Sequence, residues 1–270
     1  MKRGVAAAKI NLALVVGPRR RDGKHELLTV YQRIALADRI EVRSAERNEV
    51  TGFAEDTLVA RALDLLTAGE DIRLTVRIEK RIPVAAGLGG GSADAAAALA
   101  LGNGLLTDRL PHERLDAIAR ELGSDVPFFL RAGPQLGAGD GGELRPLDLP
   151  QDYWVLLVAP HGKQKSSTAD VYARFDARDG EDGFRTRSSA LLSALERIRR
   201  PRDLAALPPN DLASSPVAEE LRELGAFRAD VSGAGPAVYG LFLHRALAEQ
   251  AQRRLRRRGR TWLTAPAWYV

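Results

Sequence analysis

The segment Pro83-Val84-Ala85-Ala86-Gly87-Leu88-Gly89-Gly90-Gly91-Ser92-Ala93-Asp94 runs without a break into Ala95 to Leu101, and it restricts the fold more than any other stretch of the chain. Gly87, Gly89, Gly90 and Gly91 fall within five residues, and glycine reaches positive φ without the steric cost other residues bear. The alanine-rich continuation favours helix. Leu74, Val76 and Ile78 alternate ahead of the loop, as in a strand that ends at Pro83. The order is therefore strand, glycine loop, helix, with Ser92 predicted to cap the helix. A helix start leaves its first N–H groups unpartnered and carries partial positive charge, so such a loop suits an anion, phosphate above all. Two standard phosphate signatures are absent: no Gly-Lys-[Ser/Thr] closes the loop, and Ser92 stands where a dinucleotide fingerprint ends in glycine. A flexible turn before a surface helix is the plain alternative, but a helix start without bulky side chains suits close backbone packing better than exposure.

The 270 residues contain no cysteine, which removes disulfides, thiolate metal sites, iron–sulfur clusters and cysteine nucleophiles. Against 35 acids stand 40 bases, 34 Arg and 6 Lys, for a formal charge of +5, so each lysine can be inspected. The densest basic segment, Arg253-Arg254-Leu255-Arg256-Arg257-Arg258-Gly259-Arg260, has no interleaved aromatic to stack bases. It reads as a solvated helix face, and no nucleic-acid partner is expected. No apolar run reaches the roughly 18 to 20 residues of a membrane helix. Lys9 and Asn11 interrupt the N-terminal apolar stretch before it could serve as a signal core. A cytoplasmic protein with no membrane partner is expected.

Residues 5–17 and 26–42 read as strands around a charged turn, Pro18 to Gly23. On the first strand Lys9 shares the parity of Asn11, opposite to Ile10 and Leu12, which puts it on the polar face. Helical spacing marks 57–68 and 112–122, and Gly123 to Leu130 reads as a loop entering an apolar strand. Tyr153 to Val158 follows as a strand, with helices near 168–176, 187–199 and 216–225. Val231 to Pro236 lies between two strand-like pieces, ahead of an Arg-rich helix and a last strand near 261–265. Arg178 to Thr186, with two glycines and three acids, is the expected linker. No period of a repeat architecture is present.

Ala6-Ala7-Ala8-Lys9-Ile10-Asn11-Leu12, the loop Pro83 to Asp94 and Ser232-Gly233-Ala234-Gly235 stand in the order and spacing of three signatures of the GHMP kinases, named for galactokinase, homoserine, mevalonate and phosphomevalonate kinases. The chain resembles that superfamily over nearly its whole length. Asp22-Gly23-Lys24-His25, Gly123 to Phe129 and Asn210-Asp211-Leu212 are similar to motifs of the branch acting on a cytidine diphosphate-linked sugar alcohol. The resemblance implies a two-lobed α+β fold. Residues 1–148 would form a ribosomal protein S5 domain 2-like lobe that binds ATP and carries catalysis, and 149–270 a ferredoxin-like lobe that shapes the substrate site. It also implies phosphorylation of the 2-hydroxyl of that small-molecule alcohol in non-mevalonate isoprenoid synthesis, with ATP and Mg²⁺ as cofactors, by a monomer or weak homodimer.

By the same resemblance Asp125 is the candidate to accept the hydroxyl proton and Lys9 the cation beside it. Read locally, Asp125 could equally shape the turn before Pro127. Pro83, Val84, Ala85, Ala86, Gly87, Leu88, Gly89, Gly90, Gly91, Ser92 and Ala93 are the nucleotide-binding candidates. Ser92 is also the metal candidate, a role compatible with capping. Asp94 either reaches Mg²⁺ indirectly or simply favours the helix dipole. Asn11, Lys24, His25, Tyr172 and Gly233 are the substrate-binding candidates. His25 matches a histidine that reads the cytosine edge, and Tyr172 matches an aromatic over the base, although a core aromatic explains it as well. Lys24 stands where the family has a stacking aromatic, which removes a π-face. That departure leaves open a different small alcohol as acceptor, and the basic C-terminal helix leaves open a non-catalytic relative that binds nucleotide or nucleic acid. Ala85 replaces a usual glycine, and would cost about 1 kcal/mol if the position requires positive φ.

Overall fold

The computed structural model describes residues 1–53, 55–162 and 167–267. Strands β1 (Lys2–Arg19) and β2 (His25–Ala45) form a long antiparallel hairpin. Its register sets Lys9 opposite Arg33 and Asn11 opposite Tyr31. The other edge of β2 carries two neighbours in succession: Leu27 to Tyr31 pairs with β5 (Gln135–Gly139), and Arg39 to Ala45 pairs with β4 (Arg73–Glu79). β3 (Glu49–Thr51) on β4 and β6 (Glu143–Pro146) on β5 complete the six-stranded first sheet.

The second sheet contains β7 (Trp154–Pro160), β8 (Arg228–Val231), β9 (Val238–Phe242) and β10 (Gly259–Thr264), ordered β10-β7-β9-β8 with every pair antiparallel. Counted from its own first strand this order is that of the split β-α-β unit, the ferredoxin-like arrangement expected for the second lobe. Helices α1 (Thr57–Leu66), α2 (Gly90–Asn103), α3 (His112–Leu122) and the single turn α4 (Val126–Phe129) accompany the first sheet. Helices α5 (Thr168–Asp176) and α6 (Phe184–Leu195) lie against β1, and α7 (Pro216–Glu223) and α8 (Arg245–Leu255) accompany the second sheet.

β1 is buried from Ala6 to Gly17, so its two faces serve two cores. Ile10 and Leu12 pack with Val155 and Leu157 of β7 and Tyr239 and Leu241 of β9. Each of these fully buried aliphatics contributes about 2 kcal/mol of burial, and the cluster joins the two sheets. The tie is also polar: the Tyr239 hydroxyl donates to the Leu12 carbonyl over 3.3 Å. Because the strand is covered on both sides, Lys9 is buried at 4 % exposure rather than solvated on an open polar face.

Three sequence expectations change. The apolar run after Gly123 folds as the turn of helix α4, not as a strand, because short apolar runs fit either state and packing decides. α6 starts at Phe184, inside the expected linker. The position before α2 is Gly89 at φ +69 with no side-chain cap, and Ser92 lies within the first helical turn.

Candidate active site

A cleft of about 880 Å³ opens where the glycine loop, the β1–β2 hairpin, α5 and the Ser232 to Pro236 loop meet. Backbone contacts assemble it. The Lys9 N–H donates to Leu88 O over 2.9 Å, and the Ala237 N–H donates to Ala86 O over 3.0 Å. The Ser232 hydroxyl donates to Gly87 O over 2.9 Å. The glycines allow this approach: a Cβ on Gly87, at φ +82, would fall 2.2 Å from Ser232 O. The start of α2 meets the cleft with no side chain capping its first turn, so its orphan N–H groups stay available to an anion. Pro83 through Ser92 all line this wall. Ala93 is buried behind it at 2 % exposure. Ala85 does adopt positive φ, +61.

Opposite the loop, a chain of hydrogen bonds orders the polar groups. Thr29 Oγ1 donates to Ala13 O over 2.7 Å and accepts from Asn11 Nδ2 over 2.8 Å. That fixes the Asn11 amide so that Oδ1 accepts from Lys9 Nζ over 2.7 Å. Lys9 Nζ then stands 3.6 Å from Asp125 Oδ2, while Tyr31 donates to Asp125 Oδ1 over 3.0 Å. Asp125 precedes α4 yet makes no capping bond, so its carboxylate faces the cleft, about a third exposed. Arg33 holds α4 from behind, with Nη2 donating to the carbonyls of Phe128, Phe129 and Arg131. Gly233 completes the cluster, since a Cβ there would lie 3.4 Å from Asn11 Oδ1 and 3.6 Å from Lys9 Nζ.

At the far end Lys24, half exposed, donates from Nζ to Asp140 over 2.5 Å and to Ser124 Oγ over 3.0 Å. Burial would raise the Asp140 carboxyl, but hydrogen bonds from Lys24, Ser124 and the Gly142 N–H outweigh it and bring it down to about 2. His25 Nδ1 donates to Gly17 O over 2.8 Å, and its Nε2 lies 3.2 Å from Asp176 Oδ1. Its ring stacks on Tyr172 at 4.9 Å between centroids and 26°. The imidazole is buried, with one face on Tyr172 and Nε2 beside Asp176.

Residues 57–133 match the GHMP kinases N terminal domain, and residues 192–261 match the GHMP kinases C terminal domain. A 4-diphosphocytidyl-2-C-methyl-D-erythritol kinase of Anaeromyxobacter sp. (strain Fw109-5) is 40% identical over 268 residues, covering 92% of this chain and 85% of its own. The chain belongs to the GHMP kinase family. A kinase of the same name from Pelotomaculum thermopropionicum is 37% identical, covering 94% and 93%. The crystal structure of a 4-(cytidine 5'-diphospho)-2C-methyl-D-erythritol kinase superposes with TM-score 0.80 at 33% identity, over 98% of this chain and 99% of that one. The Methanococcus jannaschii mevalonate kinase, at TM-score 0.76 and 14% identity over 98% of each chain, shares the fold.

This GHMP kinase also contains site residues that sequence reasoning missed. Tyr31 was legible in principle, because the hairpin register sets it across from Asn11. Lys80 follows β4 directly, and its Nζ donates over 2.7 Å to both Asp38 and Asp94, whose side chains are sealed from solvent. Asp38 Oδ1 also accepts from the Arg81 and Ile82 N–H groups, which fixes the strand end that leads into the glycine loop. Burial, then the charge of Asp38, push the Asp94 carboxyl up to about 8 against the pull of Lys80. Asp94 is therefore a buried acid inside the kinase's core, bonded to Lys80. Among the described residues no helix is long and apolar enough to cross a membrane.

Proposed function

We propose that the chain phosphorylates the 2-hydroxyl of 4-diphosphocytidyl-2-C-methyl-D-erythritol with ATP, in isoprenoid synthesis by the non-mevalonate route. The observation that carries this reading is the Lys9–Asp125 pair, 3.6 Å apart in a cleft that also holds an uncapped glycine-led helix start. The named relatives supply the acceptor. Pro83 through Ser92 fit the polyphosphate, with backbone N–H groups toward its charge. Residues 1–148 would supply this nucleotide and catalytic side, and 149–270 the helices and the Gly233 loop that shape the acceptor side.

Magnesium commonly keeps several waters and takes phosphate oxygens with one or two protein oxygens. Among the described residues no group of three His, Asp or Glu gathers as a metal cage, and the Ser92 hydroxyl lies at the cleft beside the phosphate-binding helix start. These residues fit a phosphate-borne Mg²⁺ held through Ser92. Bound there, the ion would neutralise phosphate charge.

In the transfer the acceptor oxygen forms a bond to the γ-phosphorus as the bond to the departing ADP oxygen breaks. Asp125 Oδ2 takes the hydroxyl proton, and Lys9 balances the charge that develops at the attacking oxygen. Asn11 and Gly233 border that oxygen, while Tyr172, His25 and Lys24 line the end assigned to the cytidine diphosphate. The test is ADP release from ATP and Mg²⁺ with and without 4-diphosphocytidyl-2-C-methyl-D-erythritol. Release that depends on this alcohol is expected. ATP binding without release would transfer the activity to another small alcohol, and salt-steep RNA or DNA binding without turnover would replace it with a binding role.

A further inference from the structure

Asp125 Oδ1 and Oδ2 have different surroundings. Lys9 Nζ faces Oδ2 from 3.6 Å, beyond hydrogen-bond length, and is itself directed to Asn11 by a 2.7 Å bond. Ser124 and Lys24 donate to Asp140 instead, and the Asn11 amide N–H is engaged by Thr29. The group at hydrogen-bond distance is the phenol of Tyr31, 3.0 Å from Oδ1. Tyr31 is only 2 % exposed. Its ring lies 4.9 Å from that of Phe128 between centroids, and Lys9 Nζ sits 5.5 Å from its centroid. The β5–β6 hairpin makes room for it, since a Cβ on Gly137 would fall 2.6 Å from the ring and a Cβ on Gly141 would fall 2.6 Å from the hydroxyl.

We propose that Tyr31 is a positioning residue for phosphoryl transfer: its hydroxyl holds Oδ1 of Asp125, so that Oδ2 is the oxygen turned to the acceptor hydroxyl. The inference rests on Asp125 as the proton acceptor. An ionised carboxylate has two equivalent oxygens and a soft terminal torsion, so a base left with one long ion pair would sample several orientations. A single donor on one oxygen removes that freedom and stabilises the ionised form that the reaction needs. The phenol stays a donor throughout, because burial first and the Asp125 charge second raise it well above its ordinary value. Tyr31 and Lys9 then bracket the carboxylate, one on each oxygen, and the cation remains free to follow charge onto the attacking oxygen.

The test is Tyr31→Phe, which keeps the ring and its packing. Expected are a fall in kcat of roughly 10- to 100-fold, a KM for ATP within about twofold of wild type, and an acidic limb of the kcat/KM profile moved to higher pH by up to about one unit. In an Asp125→Asn background the same change should add almost nothing, because both residues act on one proton transfer. Replacement of Tyr31 by 3-fluorotyrosine gives a second readout that keeps shape and hydroxyl: the more acidic phenol should move the acidic limb to lower pH. A Tyr31→Phe enzyme with wild-type kcat and pH profile, or one that loses as much in the Asn background as alone, would overturn the proposal. Full turnover by Asp125→Asn itself would instead remove the base assignment on which it rests.

Discussion

Lys9 and Lys80 line the same cleft, each beside carboxylates, on opposite terms. Lys80 sits 2.7 Å from both Asp38 and Asp94, and neither of those side chains reaches solvent. Lys9 sits 3.6 Å from Asp125, which is 35 % exposed. Burial alone would lower the Lys80 ammonium, but its two carboxylates raise it above the ordinary lysine range. A short ion cluster whose two carboxyls are sealed from solvent fixes the backbone it joins. A long, wetter pair keeps donor and acceptor capacity for a ligand. The glycine loop runs between them, held at one end through Asp38 and Lys80 and touched at the other by the Lys9 N–H.

Exchanging the readouts breaks or sharpens this contrast most strongly. Asp125→Asn should lower kcat by about 10²- to 10⁴-fold and leave the thermal midpoint nearly unchanged. Lys80→Met should do the reverse in emphasis, since it leaves the buried Asp38 and Asp94 side chains without their shared donor at a cost of about 3 kcal/mol, or roughly 10 °C in Tm for a chain of this size. Steady-state kinetics and thermal melts on both variants check this. A stable Lys80→Met enzyme with no turnover would place Lys80 in the chemistry and end the distinction.

The two clusters were unequally legible in the sequence. Lys9 and Asp125 lie in segments whose residue order matches known kinase motifs. Lys80, Asp38 and Asp94 come from a strand end, a second strand and a helix, and only tertiary packing joins them. α3 and α5 were readable to the residue, because amphipathic spacing and, in α5, the Ser167–Asp170 capping box are local signals. The start of α2 differs from the expected Ser92 cap because Gly89 takes the cap position and the fold leaves the donors open. Lys9 misled because alternation reports one strand's two faces and not what covers them. The second sheet takes the Ile10 and Leu12 face, and the glycine loop and the Gly233 loop close over the face that carries Lys9 and Asn11.

A titration separates Asp94 from an ordinary surface acid. Its carboxyl is pushed from 3.8 up to about 8 in the folded chain. Between those values the native state holds a proton that the unfolded chain has released, so stability should fall as pH rises through that window. Asp94→Asn keeps an oxygen for Lys80 and removes the titration. Tm measured from pH 5 to pH 9 should decline for wild type relative to the variant, with the gap widening toward pH 8. Parallel curves would mean that Asp94 is ionised throughout and fully matched by Lys80.

The smallest effect concerns the loop between the lysines. Ala85 holds φ +61, a conformation costing a non-glycine residue about 1 kcal/mol or more. Its side chain is exposed, so Ala85→Gly sacrifices little packing. Glycine removes the strain but gives the unfolded chain more freedom, worth about 0.4–1 kcal/mol in the opposite direction. The expected net is a gain below about 1 kcal/mol, a rise of roughly 2 °C in Tm, with KM for ATP changed by less than about twofold because Gly87 and Gly89 already set the backbone under the phosphates. A larger rise in KM without loss of stability would show that alanine at 85 restricts the loop in its binding shape. The rigidity at Lys80 would then extend along the glycine loop to the edge of the open pair at Lys9, instead of ending at the strand.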